Sequence, residues 1–275
     1  MKTILVPTDF SPAAFNAATY AIQLAQQFMI PQITLYHAYE LPMVMGAEML
    51  APASVIEPSQ LERDVQQHMQ NLKQALLDAT DTPVTIHLHT EMNRLPFGIS
   101  QYAQMQGVSF IVMSITGGGL LEEKLIGSTA LQVAETCRIP VMIVPKYCKY
   151  QTIRQVVLCS DTQQALENTC HKVNKVIGKA AVDLTVVHVN SSDTEPAYAL
   201  SELQCQLFHV SKLEVMTLVN TSFQKAVNHF VKSNKSDLLL LIAKKHKWYQ
   251  HWFTESHTLQ MAFQTTVPML LINEQ

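Results

Sequence analysis

Three consecutive glycines, Gly117, Gly118 and Gly119, follow an apolar segment ending at Met113-Ser114, and a fourth opens Gly127-Ser128-Thr129 a short way on. Glycine reaches positive φ and allows close backbone approach, so such a loop can wrap an anion with its own amides. A helix beginning at Ser128 adds first-turn N–H groups without partners in the chain, and a dipole that favours negative charge. Phosphate binding is the chemistry this spacing suits. The competing reading is an ordinary flexible turn, and the position between an apolar strand and a helix start argues against it.

Other chemistries find less support. No nucleophile with a neighbouring base can be nominated and no G-x-x-x-x-G-K-[ST] motif is present, so no catalytic residue is assigned and rapid nucleotide hydrolysis has no visible machinery. His87 and His89 share a strand face, and His246, His251 and His257 lie close in sequence, but no Cys, Asp or Glu completes a metal-binding pattern. The five cysteines, Cys137, Cys148, Cys159, Cys170 and Cys205, are widely spaced without C-x-x-C and read as small apolar residues.

The elements that must position the loop alternate. Apolar runs near 3–7, 32–37, 84–89, 109–114 and 140–144 have the length of parallel strands covered on both faces. Between them fall helical patterns: one begun by the cap Ser11-Pro12, with Phe15, Ala18, Ile22, Ala25 and Phe28 on one stripe, then helices over 59–79, over 96–106 and from Ser128. Strand and helix in alternation give a doubly wound α/β sheet, in which ligands bind beyond the carboxyl ends of the strands where strand order reverses. Pro7-Thr8-Asp9 and the glycine loop both leave such an end, so they are expected in one crevice. His37, which ends the second strand, and His188, its counterpart, are expected to be structural.

The pattern then repeats. Thr3-Ile-Leu-Val-Pro-Thr-Asp9 recurs as Gln155-Val-Val-Leu-Cys-Ser-Asp161, and Ile33-Thr-Leu-Tyr-His37 as Leu184-Thr-Val-Val-His188. Ser109–Ser114 and Ile139–Val144 recur 128 residues later as 237–242 and 267–272. Two copies of one domain are expected, 1–147 and 152–275, with the short Tyr147–Gln151 segment favouring packed over freely swinging halves. Their last strands, 140–144 and 268–272, should pair and make the chain an intramolecular pseudo-dimer. Pairing of whole chains into a homodimer stays open.

Composition sets the remaining bounds. Of 275 residues 48% are apolar and 15% charged, enough for substantial cores, and the formal charge of −3 argues against a general partner for nucleic acid or membrane surfaces. No run of eighteen apolar residues occurs, and the opening Met1–Asp9 turns polar too soon for a secretory signal, so a cytoplasmic location is expected.

On these motifs the chain resembles the universal stress proteins in their tandem form. The resemblance rests on Ile4–Asp9, on His37, and on the signature G-x-x-G-x9-G-[ST] before a Pro-Val strand, here Ser114-Ile-Thr-Gly117, nine residues, Gly127-Ser128, then Pro140-Val141. It implies two five-stranded parallel-sheet domains, Rossmann-like and of the adenine nucleotide alpha hydrolase type, binding ATP or AMP, with Mg²⁺ as companion ion. It places Pro7, Thr8 and Asp9 beside the adenosine and the backbone of Ala38 against adenine. Met113 and Ser114 fall near the ribose, Gly117 and Gly118 in the phosphate loop, and Gly127, Ser128 and Thr129 at the helix start that receives phosphates. Ser114 departs from the family pattern, which has glycine there. If that position needs positive φ, serine costs about 1 kcal/mol.

The second copy has lost the glycines. Ile242-Ala-Lys-Lys245 stands where Ser114–Gly117 stood and Glu255-Ser256 replaces Gly127-Ser128; only Gly178 of the eight glycines lies in that half. A carboxylate at a phosphate position repels it, so binding is expected in the N-terminal half alone. Lys244, Lys245, His246, Lys247, Trp248, His251 and Trp252 invite a nucleic-acid reading, against which stands the simpler one that bulky side chains fill the vacated pocket. Leu41–Leu50, rich in methionine, reads as a packed loop, a lid or a partner surface. Three functions follow from these readings: a nucleotide-binding stress or signalling protein, a nucleotide-independent interaction protein on the same fold, and a slow ATPase.

Overall fold

A computed structural model describes residues 2–40, 57–81, 83–114, 128–159, 163–177, 180–190, 210–219, 222–243 and 267–273. The first half contains strands β1 (Thr3–Pro7), β2 (Gln32–Tyr39), β3 (Thr85–Met92), β4 (Phe110–Ser114) and β5 (Val141–Val144). Its helices are α1 (Pro12–Gln27), α2 (Pro58–Ala79), α3 (Leu95–Met105) and α4 (Ser128–Thr136). The second half contains β6 (Gln155–Cys159), β7 (Val182–Asn190), β8 (Val210–Val219), β9 (Leu238–Ala243) and β10 (Met269–Asn273), with helices α5 (Gln163–Ile177) and α6 (Phe223–Ser233). The glycine loop 115–127, the methionine-rich segment 41–50, the segment 244–252, Asp161 and Glu255-Ser256 lie outside the described residues.

All ten strands form one sheet in the order β3-β2-β1-β4-β5-β10-β9-β6-β7-β8. Within each half every pair is parallel, and the halves meet at the antiparallel pair β5/β10. Each half therefore reads 3-2-1-4-5 from its outer edge, reversing direction between its first and fourth strands. Residues 140–144 and 268–272 meet through Val141↔Leu271, Met142↔Leu270 and Ile143↔Met269.

Strand alternation sends apolar side chains to both faces. Ile4, Val6, Ile33, Leu35, Phe110 and Val112 join the layer under α1, α2 and α5; Leu5, Tyr36, Ile111, Val141 and Val157 join the layer that includes residues of α3, α4 and α6. Each fully buried Leu, Ile or Val contributes about 1.5–3 kcal/mol. The run-length reading holds for strand positions but not for the ends of β2 and β3, which continue to Tyr39 and Met92. Their last residues, His37-Ala38-Tyr39 and Thr90-Glu91-Met92, include polar types, so hydrophobicity alone stops short of them.

Helix α1 starts as its sequence dictates: Ser11 is extended (φ −70°, ψ 158°), its Oγ accepts from the Ala14 amide at 3.1 Å, and Pro12 takes the first helical position. Its burial is wider than the expected stripe. Ala13, Ala14, Ala17, Tyr20, Ala21 and Leu24 are buried in addition to Ala18, Ile22 and Ala25. Besides the sheet and α2, the connection between the halves packs against this helix. Asn16 Nδ2 donates to the Cys148 carbonyl at 2.9 Å, and Tyr20 meets Tyr150 edge-on with ring centres 5.1 Å apart. The Gln27 side chain binds both backbone groups of Ile153, donating to its carbonyl at 2.6 Å and accepting from its amide at 2.9 Å, and accepts a hydrogen bond from the Tyr150 hydroxyl as well. On the far side, Asp237 accepts from the Arg154 and Gln155 amides, both at 2.8 Å. The connection is thus fastened at both ends.

Candidate functional site

The reversal of strand order between β1 and β4 opens a cleft at their carboxyl ends, as doubly wound sheets do. It is lined by Pro7, Thr8, Asp9, Ala14, Leu95, Met113, Ser114, Thr129 and Ala130 and encloses a cavity of about 80 Å³. The adjacency is set by the pairs Ile4↔Phe110 and Leu5↔Ile111, which leave the Pro7 and Ser114 ends side by side.

The turn leaving β1 is held by its own side chains. Thr8 Oγ1 accepts from the Phe10 amide, Asp9 Oδ1 from the Ser11 amide, each at 3.0 Å, and Ser11 then caps α1. Phe10 has φ +62°, a left-handed conformation unusual for a bulky residue. Strain of this kind costs about 1–3 kcal/mol and persists where surrounding contacts enforce it. Here the enforcing contacts are the flanking bonds and the rings of His37 and His68, at 4.6 and 5.5 Å. The turn leaves Thr8 buried and the Asp9 carboxylate exposed at the cleft. His37 Nδ1 donates to the Thr8 carbonyl at 2.8 Å, so this imidazole holds the turn in place.

Of the residues assigned from sequence, Pro7, Thr8, Asp9, Met113, Ser114 and Thr129 line the cleft together. Ser128 is the first residue of α4, whose opening turn carries Thr129 and Ala130 into the cleft. Gly117, Gly118 and Gly127 lie outside the described residues. Ala38 is not among the lining residues; it is buried on β2, opposite Glu91 of β3. Its backbone direction follows from two bonds. The Thr8 amide donates to the Tyr36 carbonyl at 2.9 Å, and the Asn93 amide to the Tyr39 carbonyl at 3.1 Å. Tyr36 therefore faces β1 and Tyr39 faces β3, and alternation turns the Ala38 N–H and C=O toward the β1 side. The last paired residue of β1 is Pro7, opposite Tyr36, so those groups point past the end of that strand's ladder.

Two lining residues escaped the sequence reading. Ala14 sits in the first turn of α1, where a small side chain leaves the cleft open. Leu95 begins α3 directly beyond the carboxyl end of β3, and Leu95-Pro96 is a helix-start signal that, combined with the rule that such starts face the ligand crevice, would have located it.

Among the described residues no group of three His, Cys, Asp or Glu is placed to hold a metal ion. Cys137, Cys159 and Cys170 are buried and Cys148 half-buried, none of the four in a disulfide. Burial pushes the Cys159 thiol well above its ordinary range, so it makes a poor nucleophile. No described helix is long and apolar enough to cross a membrane.

A doubly wound sheet with its cleft at the switch point defines a class of ligand-binding α/β proteins. Within that class the chain belongs to the universal stress protein family, whose model matches residues 1–145. It is 33% identical over 147 residues to a universal stress protein of Methanocaldococcus jannaschii, a match covering 53% of this chain and 82% of that protein. A universal stress protein of Archaeoglobus fulgidus superposes over 98% of this chain and 96% of its own with a TM-score of 0.65 at 15% identity. A putative universal stress protein of Pseudomonas aeruginosa does so over 98% and 92%, with a TM-score of 0.55 at 10% identity. At such identities the structural likeness establishes the fold.

Proposed function

We propose that the protein binds one adenine nucleotide, ATP or AMP, in the cleft between β1 and β4, and that occupancy serves a cytoplasmic stress or signalling role without turnover chemistry. The observation that carries this reading is the convergence of three donor and acceptor sets at one strand-order reversal. The exposed Asp9 carboxylate suits ribose hydroxyls. The Ala38 backbone, turned past the end of β1, offers a donor and an acceptor of the kind an adenine edge needs. The first turn of α4 offers amides and a positive dipole end to phosphate, with the sequence 117–127 supplying the glycine-rich approach to it. Mg²⁺ would accompany the phosphates and neutralise part of their charge.

The same reading treats 1–147 as the binding domain and 152–275 as a copy that keeps the strands but not the glycines, so that the chain is an intramolecular pseudo-dimer with one competent site. The register of β5 against β10 supports this. Titration calorimetry of the intact chain with ATP and Mg²⁺ tests it: a stoichiometry near one is expected. A stoichiometry near two would remove the asymmetry, and no binding of ATP or AMP would favour a nucleotide-independent interaction protein.

A further inference from the structure

Beyond the last paired residue of β1, strands β2 and β3 continue as a two-stranded overhang from His37 to Tyr39 and from Thr90 to Met92. A pair of strands alone is marginal in water, yet this one carries Ala38 and leads through Asn93-Arg94 into Leu95 at the cleft. A cluster on the α3 face of the sheet ties it down. The Tyr36 hydroxyl donates diagonally across the strands to Glu91 Oε1 at 2.5 Å, and Asn93 Nδ2 donates to the same oxygen at 3.2 Å. His89 Nε2 lies 3.4 Å from Glu91 Oε2, and its ring stacks on Tyr102 of α3 with centres 4.1 Å apart. Gly98 of α3 lies over the Tyr36–Glu91 bond so closely that a Cβ there would collide with both oxygens.

The second half of the chain provides an internal control. By the registers Tyr36↔His89 and Val187↔Met216, and by the common spacing of α3 to β4 and α6 to β9, the equivalents of Tyr36, His89, Glu91, Gly98 and Tyr102 are Val187, Met216, Leu218, Ala226 and Phe230. All five are apolar. The strands overhang there too, since β7 runs to Asn190 while β6 is last paired at Cys159, opposite Val187. On the other face of the same strands two polar residues are kept, His37 and Thr90 recurring as His188 and Thr217. The fold is thus built without the polar cluster, and Ala226 stands where glycine is needed only if the Tyr36–Glu91 bond exists.

We propose that Tyr36, Glu91 and Gly98 form a brace that holds the β2/β3 overhang, and through it the Ala38 backbone and Leu95, in the geometry that reads a purine base. They are positioning residues, and the proposal rests on the nucleotide reading above. An adenine edge presents an amine and a ring acceptor, whereas hypoxanthine reverses both, so discrimination between them depends on where Ala38 is held.

The test uses the full chain, with ATP and inosine triphosphate, each with Mg²⁺, as calorimetric probes, and hydrogen exchange of the Tyr39 and Asn93 amides as a readout that needs no ligand. Tyr36→Phe and Gly98→Ala should each weaken ATP binding about tenfold and lower the ratio of ATP to inosine triphosphate affinity, because a hydrogen bond to a charged acceptor is lost. Both should speed exchange at the two amides by a similar factor. Glu91→Gln keeps an acceptor for the Tyr36 hydroxyl and should stay within about threefold of the unsubstituted chain. Unchanged exchange in Tyr36→Phe would overturn the brace whatever the ligand does. Faster exchange with an unchanged affinity ratio would overturn its role at the cleft. Absence of ATP binding by the unsubstituted chain would instead overturn the nucleotide reading, while the exchange data still decide whether the brace exists.

Discussion

Met142 of β5 lies directly opposite Leu270 of β10, the residue 128 positions later that is its own counterpart in the repeat. Val141 correspondingly faces Leu271, and Ile143 faces Met269. Each strand meets the last strand of the other half in antiparallel register. Both central residues are completely buried.

The junction should therefore be among the most protected parts of the chain. Amides of 141–144 and 269–272 are expected in the slowest class of native-state hydrogen exchange. Leu270→Ala should cost about 2–5 kcal/mol in urea unfolding. Fast exchange of both strands in the intact chain would contradict the pairing.

Gly127→Glu copies Glu255, its counterpart in the second half, and should place bulk and negative charge against bound phosphate. The expected loss of ATP affinity is more than ~100-fold. The reciprocal Glu255→Gly should not create a second site, because Ile242-Ala-Lys-Lys245 still lacks the glycine that Gly117 supplies in the first half. Calorimetry of the two variants, read for both affinity and stoichiometry, checks the pair; unchanged affinity in Gly127→Glu would remove the phosphate assignment.

Gln27→Ala should loosen the connection between the halves. It strands the Ile153 amide and carbonyl and the Tyr150 hydroxyl at a site where Ile153 is fully buried, a loss of about 1–3 kcal/mol. Limited proteolysis should then cut within 145–154 faster than in the unsubstituted chain. Equal cleavage rates would mean that the Tyr20–Tyr150 contact and Asp237 suffice.

Stability should fall on the alkaline side. Burial, with the Asp237 carboxylate nearby, pushes the Tyr150 hydroxyl up to about 12, and burial likewise raises Tyr20, Tyr36 and Tyr102. These groups keep their protons in the folded chain while an unfolded tyrosine loses its proton near pH 10. Their stabilising contribution is complete below about pH 10 and is lost as pH rises from there toward about 12. Absorbance of tyrosinate during an alkaline titration should lag behind that of the urea-unfolded chain; coincident curves would refute the burial assignment.

Much of this architecture could be read from residue types because local and global signals agree. Ser11-Pro12 caps the helix it was expected to cap, and β1 and β4, each an apolar run of five, end side by side at Pro7 and Ser114. The family is legible in the motifs that carry the resemblance, Ile4–Asp9, His37 and the glycine signature. What escaped the reading depends on partners far away in sequence. Tyr20 packs against Tyr150, in a connection more than a hundred residues later. The left-handed Phe10 carries no composition signal, since ring contacts with His37 and His68 enforce it. The Tyr36–Glu91 bond joins two strands across 55 positions, and in sequence Glu91 looks like any exposed strand carboxylate.

The single antiparallel pair has a consequence for where messages can travel. Because direction reverses at Met142 and Leu270, the carboxyl ends of β1 and β4 open on one rim of the sheet and those of β6 and β9 on the opposite rim. A molecule seated at Asp9 cannot also touch the counterpart surface near Cys159. Any influence of the first half's occupancy on a partner held by the second must cross the full width of the strands, through the close-packed side chains on either side of that pair. The chain is in this sense two-ended, its two crevice rims facing opposite ways.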